Sequence, residues 1–596
     1  MKLLQKIGLA LFVIALCIFT AVLGINNYVL DADHLAISNE YHLAEMETLL
    51  NDQNDQSIKY STSFDYTSKV KDLLHRAQKS LDLKAEAGLP SGISEWDYRM
   101  GDWAIKDYVI NSTKKASVGP IKDNPWVFLF LTFGLAILGG ILYVIPMFMV
   151  SSGIKNDGIY HSPMTRGLTL SIRSVVLSLT IIAILVYGFY YLNKDLFWPL
   201  VTALIILGIT TLVFFSEGHV NKTPAKSASP NVPAWLGLFA GFYFIGFYVL
   251  LYWAPQHVNG WVDMVNPVSQ SLSGNEASQW FLYGLMYTVI VLVMGIRMIA
   301  KYRHNTYQMV RTASVMFFQT GFAFLLPEIL VRLNQPWFDF KNIWPLNYSF
   351  FFDWNINHLI QSGTLGIFML VWGIVLTVVG VPVITYFFGK RWYCSWVCGC
   401  GGLAETMGDP YRQLSDKSLR AWNFERWIIH GVLVFAVIMT AMVLFTYFTG
   451  SQQIWFFDSG VVRSWYGFLI GSAFAGIIGT GFYPLMGNRT WCRFGCPLAA
   501  YLGLVQKYKS RFRITTNGGQ CISCGNCSTY CEMGIDVRYY AQRGQDIVRS
   551  SCVGCGICSA VCPRGVLKLE NGPDVQERTS ELRTLHIAEN EVFMPQ

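Results

Sequence analysis

The chain has 596 residues, 53% of them hydrophobic and only 14% charged, with 40 Phe, 30 Tyr and 19 Trp. That composition excludes an ordinary soluble multidomain protein and puts a membrane protein first. The net charge of +7 is modest, and its basic residues fall between apolar stretches, which is the pattern of membrane orientation and not of nucleic-acid binding.

A bilayer-crossing helix needs about 20 apolar residues. Ten stretches qualify, near 7–24, 126–149, 171–191, 195–215, 234–253, 279–296, 312–331, 359–387, 428–448 and 464–484. Lys2 and Lys6 precede the first, so the N-terminus is expected to be cytoplasmic, and an even span count returns the C-terminus to the same side. The loops then predicted inside hold Lys155, Arg166, Lys222, Lys226, Arg297, Lys301, Arg303 and Arg311, while the short outside loops hold only Lys194, Lys341 and Arg463, with Arg332 at a span end. The first stretch has a long apolar run with no A-x-A-like cleavage site after it, so it reads as an anchor and not a signal peptide.

The expected fold is an α-helical polytopic bacterial inner-membrane protein. It divides into a first span (1–25), an extracytoplasmic helical domain (26–123), spans two to seven (124–355), a membrane core with two C-x3-C motifs (356–513), a C-terminal α+β ferredoxin module (514–572) and a polar tail (573–596). In the extracytoplasmic domain Val70, Leu73, Leu74, Ala77 and Leu81 recur at helical spacing and predict an amphipathic helix. Trp96, Trp103 and Tyr108 are assigned to its core, and His34, His42 and His75 to surface or hydrogen-bonded positions.

Of 14 cysteines, every one except Cys17 lies between Cys394 and Cys562. Cys521, Cys524, Cys527 and Cys531 stand in C-x2-C-x2-C-x3-C spacing, and Cys552, Cys555, Cys558 and Cys562 repeat it, with Pro563 completing the second run. This is the bacterial two-[4Fe-4S] ferredoxin signature, in which the last cysteine of each run serves the other cluster. Cluster one is therefore expected on Cys521, Cys524, Cys527 and Cys562, and cluster two on Cys552, Cys555, Cys558 and Cys531. Gly525, Gly554 and Gly556 suit loops that turn tightly and aim N–H groups at sulfur. Zinc is disfavoured, because its sites prefer two separated pairs. The first run departs at Glu532, where the second has proline.

Two further pairs, Cys394/Cys398 and Cys492/Cys496, follow the eighth and tenth spans as C-x3-C. On a helix that spacing puts both sulfurs on one face, about 5 to 6 Å apart at Cβ, too wide for an unstrained disulfide. The pairs are candidates for an additional thiolate site holding a metal or third cluster, with redox-active thiols and plain packing as alternatives. Cys400 has no role assigned from sequence, and Cys17 is read as lipid-facing or packed.

Paired membrane-end motifs followed by a double-cluster ferredoxin resemble the NosR and NapH group of polyferredoxin membrane proteins, over about residues 360–570. The resemblance implies electron supply to a respiratory or reductase partner. Both motifs in that group read C-x3-C-P, which Cys492, Cys496 and Pro497 match, whereas Gly399 follows Cys398. NosR-like proteins also attach FMN at a Gly-Ala-Thr-containing sequence, which this chain lacks, so covalent FMN is not expected.

No C-x-x-C-H occurs, so c-type haem is not expected. His358 and His430 sit near opposite ends of neighbouring spans and are read as helix-end residues. Glu328 and Arg332 form a candidate quinone or proton site, with an interfacial ion pair as the preferred reading. The expected function is iron–sulfur electron relay between a quinone pool or cytoplasmic donor and a redox-protein partner, with a redox sensor or a copper-assembly factor as alternatives.

Overall fold

The computed structural model describes residues 2–52, 58–88, 94–149, 234–454, 456–572, 586–588 and 591–593. Seven helices among them are long and apolar enough to cross a membrane: Leu3–Gly24, Pro125–Phe148, Gln279–Tyr302, Thr306–Arg332, Gly363–Phe388, Leu419–Thr449 and Ser459–Gly481. Each overlaps a predicted span. The span predicted at 234–253 appears as the apolar helix Ala234–Trp253, whereas those at 171–191 and 195–215, with Lys155, Arg166, Lys194, Lys222 and Lys226, lie outside the described residues. Most of the polar tail does too.

The first two spans pack at a glycine crossing. A Cβ at Gly8 would sit 2.6 Å from the Gly139 carbonyl oxygen, and one at Gly139 equally close to the Gly8 carbonyl oxygen. Within lipid there is no hydrophobic gain from bringing helices together, so close backbone approach and dispersion have to hold them.

Between these spans the chain forms a small α+β unit, not the all-helical domain expected, because three short strands too brief to show a period pair into a sheet. Its sheet runs in the order Ile58–Tyr60, Asn27–Leu30, Ser117–Val118, all antiparallel. The predicted amphipathic helix is Ser63–Ala87; Thr62 caps it by accepting from Asp65 N–H, and Val70, Leu73, Leu74, Ala77 and Leu81 all point into the core. His42 is buried between the Tyr108 hydroxyl (3.0 Å) and the Tyr98 carbonyl (3.2 Å). Tyr108 is in the core, but Trp103 is 66% exposed, because it falls on the outer side of Asp102–Ala116, opposite Ala104, Ile105 and Tyr108. The Trp96 side chain lies outside the described residues.

This unit is fastened to the helix Asn259–Leu272. Asn26 Nδ2 donates to Asp263 Oδ2 (3.0 Å), the Ser117 hydroxyl donates to the same oxygen (2.8 Å), and Phe64 stacks on His257 at 3.9 Å.

The C-terminal module pairs Phe512–Thr516 with Leu567–Asn571 in an antiparallel ladder, enclosing the two cysteine runs. Its core is continuous with that of the last spans, so it is packed onto the membrane helices.

Candidate iron–sulfur site

The second run and one residue of the first surround a single cavity. Cys531, Cys552, Cys555 and Cys558 line it, with Ile514, Met533, Ile535, Val537 and Ile547 closing the apolar remainder. Cys527, in turn, faces Cys562, Cys524 and Cys521. The crossing follows from the loops. Gly525, Gly554 and Gly556 have φ of 81°, 61° and 75°, so each run turns through left-handed backbone and then enters a short helix, Asn526–Thr529 or Ile557–Ala560, that carries its last cysteine toward the other run.

Backbone N–H groups point at the sulfurs: Gly554 at Cys552, Ile557 at Cys555, Ser528 at Cys527, and Met533 and Ile535 at Cys531. As bare thiols these are poor acids. Burial pushes Cys552 up to about 11 and Cys555 up to about 12. A bound metal displaces those protons, so four converging thiols around one cavity suit a cubane and not reactive free cysteines.

The C-x3-C pairs also converge. Cys394, Cys398, Cys492 and Cys496 are all buried, and Cys496 faces the other three. They do not sit on continuous helices as the spacing suggested. Cys394 ends the short helix Arg391–Cys394, and Cys398 precedes Gly399–Thr406 in extended conformation. Cys492 lies in the π-type turn Trp491–Gly495, and Cys496 caps Pro497–Lys509, its sulfur accepting from Ala499 N–H at 3.4 Å. Pro497 at the first helical position has no N–H to lose, so the chain breaks cleanly at the cysteine.

Cys400, unassigned from sequence, belongs to this group, since its thiol bonds to Cys398. That hydrogen bond pulls the Cys398 thiol below its ordinary value, whereas burial raises Cys394, Cys492 and Cys496. Lys341 arrives from the turn-rich segment 333–352, which folds back against the spans: Tyr393 donates to the Lys341 carbonyl (2.8 Å), and Trp344 Nε1 donates to Thr440 (3.0 Å). Burial opposes its charge, but Asp339 and the thiols of Cys398 and Cys400 hold it protonated.

Sulfur spacing separates the candidate ligands. A tetrahedral mononuclear site with bonds of 2.3 Å needs sulfurs about 3.8 Å apart. Among the described residues, the one trio of His, Cys, Asp or Glu ligand atoms within 4.8 Å of one another is Glu405, Glu532 and Cys555. Both carboxylates of that trio are already paired with arginines, which disfavours a cation there. No three thiols among the described residues lie that close, so as placed they are wider than a tetrahedral mononuclear site needs.

Between the thiol group and the module lies a buried charge network absent from the sequence reading. Glu405 pairs with Arg311 and Arg489; Glu532 accepts from Arg412 Nη1 (2.7 Å), Arg489 Nε (3.0 Å) and Asn488 Nδ2 (3.2 Å); Asp409 pairs with Arg297, Lys301 and Arg412. Arginines beside it override burial and hold Glu532 well below the usual carboxylate range. Five cations, of which Arg297 and Lys301 are only half-buried, face three carboxylates, and that surplus of positive charge favours a nearby anion. Thiolate-ligated iron, if bound by the neighbouring cysteines, would supply one.

The remaining candidates stay apart. Arg332 donates to the Gln270 carbonyl (3.1 Å), while Glu328 faces Trp337 and Ser273, so the expected ion pair gives way to partners on neighbouring segments. His430 bonds within its own helix to the Arg426 carbonyl (2.6 Å). Cys17 is exposed on the first span.

Comparison with known proteins converges on the same segments. The 4Fe-4S binding domain family matches residues 369–418 and 466–515, which contain both C-x3-C pairs, and the 4Fe-4S dicluster domain family matches 520–567. The chain is 28% identical over 159 residues to the "Putative electron transport protein YccM" of Escherichia coli (strain K12), covering 25% of this chain and 43% of that protein. It thus spans under half the length of this relative. No solved structure matches. The chain carries iron–sulfur domains of the 4Fe-4S type on and beyond membrane-length helices, and it resembles in part a protein named for electron transport.

Proposed function

We propose that the protein is a NosR/NapH-like electron relay of the bacterial inner membrane, with three [4Fe-4S] sites. Cys521, Cys524, Cys527 and Cys562 hold the first, Cys552, Cys555, Cys558 and Cys531 the second, and Cys394, Cys398, Cys492 and Cys496 the third. The single observation carrying this reading is that the second site's loop and the membrane thiol group are bolted to each other. Ser395, next to Cys394, donates to the Val553 carbonyl (2.8 Å), Lys390 donates to the Ser550 carbonyl (2.9 Å), Gln506 to the Cys552 carbonyl (2.8 Å), and Gln308 to the Cys555 carbonyl (2.7 Å).

When bound, the clusters supply one-electron chemistry at potentials set by charge, hydrogen bonding and exposure. The protein's part is to fix their order and surroundings. The first site lies near the surface, the second is clamped against the helices, and the thiol group is sealed among Tyr393, Trp491 and Phe494 with Lys341 and Arg489 supplying positive charge. In this reading the module is cytoplasmic, ten spans cross the membrane, residues 26–123 are extracytoplasmic, and the electrons pass between a cytoplasmic donor or quinone and a reductase partner.

The test is anaerobic reduction of the purified protein by a quinol or a low-potential donor, followed by electron paramagnetic resonance. Cluster signals that appear on reduction and decay on adding a reductase partner support the relay. Signals that dithionite develops but that neither quinol nor protein donor produces and no partner discharges favour a sensor, and stoichiometric copper in their place favours metal assembly.

A further inference from the structure

The two halves of the module present different surfaces. The 550–558 loop is held by side chains of the membrane core, whereas the bonds around the 521–527 loop come from the module itself. Gln542 donates to the Ser523 hydroxyl (2.7 Å), and the Ser528 hydroxyl both donates to Asp536 (2.6 Å) and accepts from Arg538 N–H (2.8 Å). These bonds lay the helix Val537–Gln542 across the loop and turn its outer face to solvent. Ile522 and Tyr539 are 44% and 45% exposed there, and Arg538 reaches over Gly525, between Cys524 and Cys527. Arg543 lies on the Tyr539 ring, 4.0 Å from its centre.

The charge on this half is one-sided. Within 514–572 the exposed charged side chains are Arg538, Arg543, Arg564 and Lys568, all basic, whereas Glu532, Asp536, Asp546 and Glu570 are buried or half-buried. Arg564, two residues after Cys562, is exposed as well. Two exposed apolar side chains ringed by cations, over the half-buried Cys521 and Cys524, form a small centre with a charged border.

We infer that this face, formed by Ile522, Arg538, Tyr539 and Arg543, is the docking surface for a small acidic one-electron carrier protein of the flavin or iron–sulfur type. The inference rests on the relay reading above. Charge complementarity selects the carrier, and the apolar pair provides the close contact that electron transfer needs. In each encounter the carrier is oxidised by one electron and this chain is reduced by one; no bond to either protein is made or broken. Steering of this kind raises the association rate by 10-fold or more and is lost as salt screens it over about 10 Å at 0.1 M.

The experiment mixes the full-length, cluster-loaded protein with photoreduced flavodoxin, an acidic carrier, in stopped flow and follows bleaching of the iron–sulfur chromophore. The wild-type second-order rate should fall at least about 10-fold between roughly 20 and 300 mM salt. Arg538→Glu with Arg543→Glu should lower the low-salt rate at least about 10-fold and flatten its salt dependence. Reduction by dithionite and the paramagnetic spectrum should not change, which shows that the variant is folded and loaded. An unaltered, salt-independent rate in that variant overturns the docking surface while leaving the relay standing. A substitution that changes only sedimentation with phosphatidylglycerol vesicles also overturns it, by making this a lipid-facing rim. If dithionite itself develops no cluster signal in the wild type, the relay reading fails instead.

Discussion

Arg489 and Glu532 are joined by a buried hydrogen bond of 3.0 Å, Nε to Oε1, and the same guanidinium reaches the Cys492 sulfur at 3.6 Å. One side chain thus ties the residue after Cys531 to the membrane thiol group. Removing one partner of a buried ion pair strands the other and costs about 3–5 kcal/mol. Glu532→Ala should therefore lower stability by that order in denaturant titration and release the module to proteolysis near residue 515. Arg489→Lys alone should also lower stability, because an ammonium cannot serve Glu405, Glu532 and Cys492 at once. Wild-type stability in Glu532→Ala would show that the bolt is ornamental.

The crossed ligation predicts which spectrum each serine substitution erases. Cys531→Ser should remove the cluster of the Cys552, Cys555 and Cys558 loop and about four irons, leaving the more exposed site intact. Cys562→Ser should do the reverse. Redox titration with paramagnetic resonance separates the two, and loss of the exposed site in Cys531→Ser would refute the crossing.

Much of this was legible in advance. Matching cysteine runs carry their ligand order in their spacing, and Val70 to Leu81 carry a helix face in their period, since both are local patterns. The charge network was not legible, because Arg311, Glu405, Arg489 and Glu532 are far apart in sequence and each alone reads as a loop or span-end charge. Cys400 and Lys341 were missed for the same reason: a break before Gly399 and the turn-rich 333–352 segment bring them to the thiols. Glu532, which looked like a mere departure from proline, is explained only by the arginines it meets. Trp103 failed in the opposite direction, since aromatic character alone does not say which side of a helix faces the core.

Asp263 makes the attachment of residues 26–123 pH-dependent. Burial raises its carboxyl from 3.8 to about 6, against hydrogen bonding from Ser117 and the charges of Lys122 and Lys114, with Glu276 adding to the rise. The folded state then binds the proton more tightly than the unfolded, so this contribution is fully present below pH 3.8 and is lost as pH rises through about 6. The difference is worth about 3 kcal/mol. Hydrogen exchange in Asn27–Leu30 and Ser117–Val118 should be slower at pH 5 than at pH 7.5 after correction for intrinsic rates, and Asp263→Asn should remove the difference. An unchanged difference in that variant would assign it elsewhere.

The glycine crossing predicts that Gly139→Leu separates the first two spans. Overpacking of a tight contact costs about 1–3 kcal/mol. The detergent-solubilised variant should lose its fold at a lower temperature, while Gly246→Leu, where a Cβ meets nothing within 4 Å, should be tolerated. Equal tolerance at both positions would count against the crossing.

The central claim is that the membrane thiol group holds a third cluster fed by the module, and iron and acid-labile sulfide analysis of anaerobically purified protein tests it most directly. About twelve irons and twelve sulfides per chain are predicted, falling to about eight of each when Cys394, Cys398, Cys492 and Cys496 are changed to serine. About eight of each in the wild type, unchanged by those substitutions, would contradict it.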